Sequence, residues 1–191
     1  MSNSNSTLWK EFANKINGKY IEEFTWHSAK VEVDYKGIKI VFDNYTLWSG
    51  KYSKVMTRVC ASFSSEENFE FEIYNSNWIG ELQTLLGGQD VKIGRENFDK
   101  KYLIKTNNEF KIKTFLQNHE IQKDIQKQEK VHFQLSNQKG IWEGTLPDNE
   151  FELSYYEDGA IKEIERLSTL LLLFYKMIDR LEEMKIINIQ L

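Results

Sequence analysis

One cysteine, one proline and three histidines are all that the 191-residue chain holds of those types, and each scarcity closes a route. A lone Cys60 cannot build an intramolecular disulfide framework, and it fits a reducing, cytoplasmic compartment. His27, His119 and His132 stand far apart, with no His-x3-His or Cys-x-x-Cys pair, so no metal or other cofactor is predicted unless folding assembles a site. The single proline, Pro147, sits in Leu146-Pro147-Asp148-Asn149, where a turn accepts it. Long apolar runs are missing too. Leu170 to Tyr175 is interrupted by Lys176 and falls far short of the roughly 20 residues that span a bilayer. The opening MSNSNSTLWK has neither a charged nor an apolar leader region, so no secretory signal is expected, and the Asn5 and Asn44 sequons are not expected to be glycosylated. With 25 basic against 29 acidic residues the net charge is −4, which argues against nucleic acid as a partner, because duplex binding rests on neutralising phosphates.

Glycine-rich phosphate motifs are absent as well. In GGQDVKIGRENFDKKYLIKTNN, residues 87–108, the next glycine after Gly88 is Gly94, and it precedes Arg95 where a Walker loop needs Gly-Lys-Ser/Thr. No Gly-x-Gly-x-x-Gly occurs. The three glycines read instead as a helix stop at Gly87 and Gly88 and a turn at Gly94.

What is present is enough for a sizeable core: 40% hydrophobic residues, 14% of the chain aromatic, and 28% charged residues to solvate the surface. The fold expected is α+β, antiparallel hairpins and meanders packed with about four helices, as one domain over 1–191. The alternative is a pair of subdomains, 8–88 and 89–185, and residues 1–6 are expected to fray. Leu8, Phe12 and Ile16 predict a first helix capped at Ser6 or Thr7 and stopped at Gly18. A meander of about five strands should follow, near Tyr20 to Thr25 and through Val31 to Tyr35, Ile38 to Phe42, Val55 to Phe63 and the alternating Phe69 to Ile73. Next come a helix from Asn75 or Ser76 to Gly87, a short strand at Val91 to Ile93, a turn over Gly94 to Asn97 and a longer strand from Phe98 to Thr106. Thr106-Asn107-Asn108-Glu109 fits a capping box. The helix it opens, through Ile112, Phe115, Leu116 and His119 to Ile125, is expected to be exposed or kinked in its polar second half. Strands at Val131 to Leu135, Ile141 to Leu146 and Phe151 to Tyr155 lead into a long final helix from Ala160 to about Lys185. Lys-Gly-Ile occurs at both 36–38 and 139–141, a hint of internal duplication.

No arrangement of residues declares a reaction, and no catalytic residue is assigned. Cys60 alternates within a strand, where burial or an edge position disfavours a nucleophile. The pairs Glu66 with Glu67, Glu70 with Glu72 and Glu182 with Glu183 read as solvated faces. Two binding surfaces are candidates. The first is NYTLWSGKYSK, with Tyr45, Trp48 and Tyr52 beside Lys51 and Lys54, suited to a partner, ligand or membrane surface; otherwise its strands simply extend toward Gly50 and the rings pack on the sheet. The second is the basic run Lys92, Arg95, Lys100, Lys101 and Lys105, continuing to Lys111 and Lys113, which suits anionic lipid or RNA; otherwise these are solvated lysines.

Gln89-Asp90-Val91-Lys92-Ile93-Gly94 followed by Phe98-Asp99-x-x-Tyr102-x-Ile104-x-Thr106-Asn107 resembles the central signature of an uncharacterised bacterial domain family. The surrounding order is similar too: an N-terminal helix, a hairpin with Tyr35-x-Gly37, a Thr57-Arg58-Val59 strand and a late strand before a long last helix. The resemblance implies no reaction and no catalytic residues; longer members of such families are often membrane-attached. The functional expectation is a bacterial cytoplasmic binding or interaction module without enzymatic activity, for an unknown protein or small ligand. The alternatives are a peripheral membrane or lipid-binding protein, a hydrolase whose site gathers His119 or His132 with carboxylates, and an immunity-type protein.

Overall fold

The structure, a computed structural model, describes residues 3–24, 28–49, 51–76, 90–139 and 144–187. Its first helix, α1 (Asn3–Lys15), is followed by strands β1 (Lys19–Ile21), β2 (Lys30–Tyr35), β3 (Ile38–Ser49), β4 (Tyr52–Ser64) and β5 (Phe71–Asn75). Then come α2 (Glu96–Lys101), β6 (Tyr102–Thr106), α3 (Glu109–Phe115), α4 (His119–Gln126), β7 (His132–Ser136), β8 (Glu150–Asp158) and α5 (Ile164–Glu183). These eight strands form one antiparallel sheet in the order β1-β2-β3-β4-β8-β7-β5-β6. The fold is α+β. The expected five-strand meander ends after four strands, because β8 returns from the far end of the chain to pair with β4, and β5 moves outward to lie between β7 and β6.

Local chemistry explains the turns. Lys36 and Gly37 both have positive φ, 54° and 79°, which gives the β2–β3 hairpin a turn whose twist matches its strands. The first helix ends on Asn17, φ 52°, while the Gly18 amide donates to the Ala13 carbonyl at 2.8 Å, so Asn17 is the left-handed residue and not the glycine expected to stop it. Gly18 is small for another reason. A Cβ there would sit 3.0 Å from the Glu32 carbonyl and 3.1 Å from Val31, so the chain passes close over β2.

One sheet face carries the core. Val31, Phe42, Val59, Tyr155, Phe133, Ile73 and Ile104 are cross-strand neighbours along a single row. All seven are buried beneath Trp9 and Phe12 of α1, Phe115 of α3, Ile121 and Ile125 of α4, and the apolar side of α5.

Several predicted elements shift. Residues 98–101 are helical: the Asp99 carboxylate accepts the amides of Ile93 (2.9 Å), Gly94 (2.9 Å) and Arg95 (3.0 Å), which curls the loop and starts α2, so the strand begins only at Tyr102. Phe98, Tyr102 and Ile104 nonetheless all reach the core. The Val91–Ile93 strand is reduced to one backbone bond, Val91 N–H to the Ile104 carbonyl. Thr106 does not cap α3. Its hydroxyl donates to the Glu70 carbonyl at 2.6 Å, and the cap is Asn108, whose side chain accepts the Lys111 amide at 3.0 Å. Asn118 caps a separate α4 by accepting the Glu120 and Ile121 amides, so the predicted single helix is two. The expected helix from Asn75 to Gly87 and the strand from Ile141 fall largely on residues outside the described set, as does the second Lys-Gly-Ile turn.

Candidate functional site: the polar face of the sheet

Strand alternation sends every second side chain of the central strands away from the helical core. In β5, β7 and β8 the burial continues on that side too: Glu72 is 2% exposed, His132 4%, Gln134 1%, Ser136 2%, Glu152 5% and Ser154 2%. The register arranges them as a lattice. Asp43, Arg58 and Tyr156 form one row, which a ring contact between Tyr156 and His132 continues to Tyr74, and Cys60, Ser154, Gln134 and Glu72 form the next. At one side Arg58 makes a bidentate pair with Asp43, at 2.9 and 2.6 Å; burial works to lower the guanidinium pKa, but the carboxylate outweighs it and holds the group above its ordinary value. At the other, His132 and Glu72 lie diagonally across β7 and β5, with Nε2 2.9 Å from Oε1. The rings of Tyr74 and Tyr156 flank His132 at 6.4 and 5.8 Å between centroids.

The electrostatics make this face a set of acceptors and held donors. Burial, followed by the Glu72 and Asp90 charges, pushes the Tyr74 phenol up to about 12. Burial and Glu152 push Tyr156 well above its usual value. Both phenols therefore stay protonated and are not nucleophiles. Among the described residues, Glu72 Oε2 and Gln134 Oε1 are buried acceptors without a hydrogen-bond partner; the Gln134 amide nitrogen donates to Ser136. A buried acceptor left unpaired costs about 1–3 kcal/mol, and two occur side by side, because Glu72 and Gln134 are direct cross-strand neighbours.

Alternation in the sequence places Glu72 on a solvated face; the structure corrects this, since the face opposite the core is itself buried here. It does bring His132 to a carboxylate. His119 meets Arg95 instead, Nη2 to Nε2 at 3.2 Å. Cys60 is half-buried on the polar face, and His27 lies outside the described residues. Among the described residues no group of three metal-binding side chains forms.

Of the two surfaces read from the sequence, NYTLWSGKYSK is a strand extension in its backbone, with Ser49 paired to Tyr52. The side chains of Tyr45, Trp48 and Tyr52 lie outside the described set; Lys51 is exposed, and Lys54 pairs with Asp158 at 2.6 Å. The basic run is divided. Lys92 donates to the Asp99 carbonyl, Lys100 pairs with Glu96 at 2.6 Å, Lys101 lies 5.3 Å over the Tyr102 ring, and Lys105 extends from β6 opposite Glu72. Arg95 opens into a groove of about 310 Å³ with His119, Gln122 and Gln126.

Among the described residues, the protein is an α+β fold whose antiparallel sheet carries the helical core on one face and a buried polar layer on the other. No family model and no curated protein matches the sequence. Among solved structures the fold is similar to the crystal structure of the mycobacterial trehalose monomycolate transport factor A, TtfA, with a TM-score of 0.61, 8% identity and 98% of each chain covered. At that identity the likeness is one of fold. Among the described residues no helix is long and apolar enough to cross a membrane.

Proposed function

We propose that the protein is a non-enzymatic binding module, and that the polar sheet face takes a donor-rich, hydroxyl-bearing ligand of the sugar or polyol type. The observation that carries this reading is the adjacent pair of buried acceptors, Glu72 Oε2 and Gln134 Oε1, unpartnered among the described residues. Vicinal hydroxyls donate to such oxygens, while the aromatic rings of Tyr74 and Tyr156, which flank His132, offer π-faces that suit the C–H groups of a sugar. An anionic ligand fits poorly, because Glu72 and Glu152 lie on the face and its guanidinium, Arg58, is held by Asp43. The structural neighbour TtfA is named as a trehalose monomycolate transport factor; it contributes the fold, and the ligand class rests on the residues. Because the face is buried, binding includes a local opening whose free energy is subtracted from the affinity.

Isothermal titration with trehalose, glucose and dodecyl maltoside micelles tests the reading and separates a free sugar from a lipid-borne one. Saturable binding that weakens at least about tenfold in Gln134→Leu or Glu72→Gln supports it. No binding of any of the three, or binding indifferent to both substitutions, refutes it.

A further inference from the structure

We propose that the groove between α2 and α4 is a phosphate-type oxyanion site built on Arg95 and His119. The chain has four arginines, at 58, 95, 166 and 180. Three are matched to carboxylates: Arg58 to Asp43, Arg166 to Glu157 and Arg180 to Glu183. Arg95 meets no carboxylate among the described residues, and its guanidinium donates to an imidazole nitrogen, His119 Nε2, at 3.2 Å. A guanidinium has five donors and no acceptor, so this contact requires an unprotonated Nε2 and occupies little of the fork. An oxyanion seated between the two residues turns both into donors toward it, since a protonated His119 and Arg95 repel each other unless a negative group lies between them.

The rest of the lining favours the same ligand. Asn97 and Gln126 bring neutral amides to a groove of about 310 Å³. Among the described residues its one lining carboxylate, Glu96, is held by Lys100 at 2.6 Å, and both of those side chains are exposed enough to move aside. Backbone donors nearby are already committed, which makes this a side-chain site: the Ile93, Gly94 and Arg95 amides bind Asp99, and the first-turn amides of α4 bind Asn118. The loop that fails as a phosphate cradle in sequence thus uses its amides on an internal carboxylate and turns one arginine outward. The site is separate from the polar sheet face and stands or falls independently of the ligand proposed there.

The shared chemistry is a phosphate group, either of a soluble phosphomonoester or of a lipid headgroup. The test follows the His119 ring proton resonances of the full chain as inorganic phosphate replaces chloride at constant ionic strength, in wild type, Arg95→Gln and His119→Gln, with the backbone amides of 95–98 as second reporters. Both substitutions are at exposed positions, so an unchanged thermal midpoint confirms that each variant folds. A saturable shift in wild type, weakened roughly ten- to a hundredfold in Arg95→Gln, supports the site. Arg95-dependent sedimentation with phosphatidate but not phosphatidylcholine vesicles then assigns a lipid source, and phosphate binding without sedimentation assigns a soluble one. Absence of a phosphate-specific shift, or an equal shift in Arg95→Gln, overturns the proposal.

Discussion

His132 and Glu72, sixty residues apart in sequence, meet through Nε2 and Oε1 at 2.9 Å on the face of the sheet that points away from the core. Both are nearly inaccessible, at 4% and 2%, so each partner makes the other's burial tolerable. Glu72→Leu or His132→Phe alone strands a buried polar group and is expected to cost about 1–3 kcal/mol. The double variant Glu72→Leu with His132→Phe is expected to lose far less than the sum, because no polar group is left behind. Urea unfolding of the two single variants and the double variant measures the coupling; strictly additive losses would show that the contact carries no energy.

Asp99 organises the 93–99 loop by accepting three consecutive backbone amides. Asp99→Ala frees all three at once and is expected to destabilise the protein by about 2–3 kcal/mol, at the lower end because water reaches the loop. Asp99→Asn keeps one acceptor oxygen and is expected to lose about half as much. Hydrogen exchange at Gly94 and Arg95 should accelerate in the alanine variant while β4 and β8 stay protected; uniform acceleration across the sheet would instead mark a global effect.

How far the sequence was legible follows the physics of its patterns. The core alternation of Val31, Val33, Ile40 and Phe42 identified strands and their inward face, and the long apolar stripe of α5 identified a buried helix, because periodicity reports burial directly. Strand order was not legible: nothing in the local pattern of β8 says that it will lie beside β4. Phe98 and Tyr102 fit a strand face, but they also fit successive helical turns, and the decision was made by Asp99 binding amides five and six residues before it. The candidate site was hidden for a related reason. Glu70 and Glu72 alternate with phenylalanines as solvated residues do, and the burial of Glu72 on the second face depends on tertiary packing that no two-residue period records. A cue was available in β7, where the off-core positions hold His132, Gln134 and Ser136 in place of lysine or glutamate.

Two glycines separate conformational strain from crowding. Gly37, at φ 79°, has nothing within 4 Å of where a methyl group would sit, so Gly37→Ala meets only the left-handed penalty, about 1 kcal/mol. Gly18 has no positive φ, but its Cβ would press on the backbone carbonyl of Glu32 at 3.0 Å. Gly18→Ala is therefore expected to cost more, about 1–3 kcal/mol, by pushing the α1–β1 connection off β2. Thermal midpoints rank the two; Gly37→Ala as the more damaging would contradict the close approach.

Asp124 ties α4 to α5, with Oδ1 2.7 Å from Lys127 Nζ and Oδ2 bonded to Lys176 Nζ. Burial alone raises its pKa, but the hydrogen bonds from Lys127 and Lys176, with their charges, outweigh burial and hold the carboxyl below the ordinary value. A carboxyl lowered in the folded state gives stability that is fully present above its unfolded pKa of about 3.9 and is lost as pH falls through the folded value. Wild-type unfolding free energy should therefore drop on the acid side, from about pH 4 downward. Asp124→Asn should start lower at neutral pH and fall less steeply in that interval. Urea midpoints across the acid range read both slopes. Identical acid slopes in the two proteins would mean that the α4–α5 clamp contributes nothing that titrates, and that the position of α4, with the Arg95–His119 groove it borders, is set by Ile121 and Ile125 in the core.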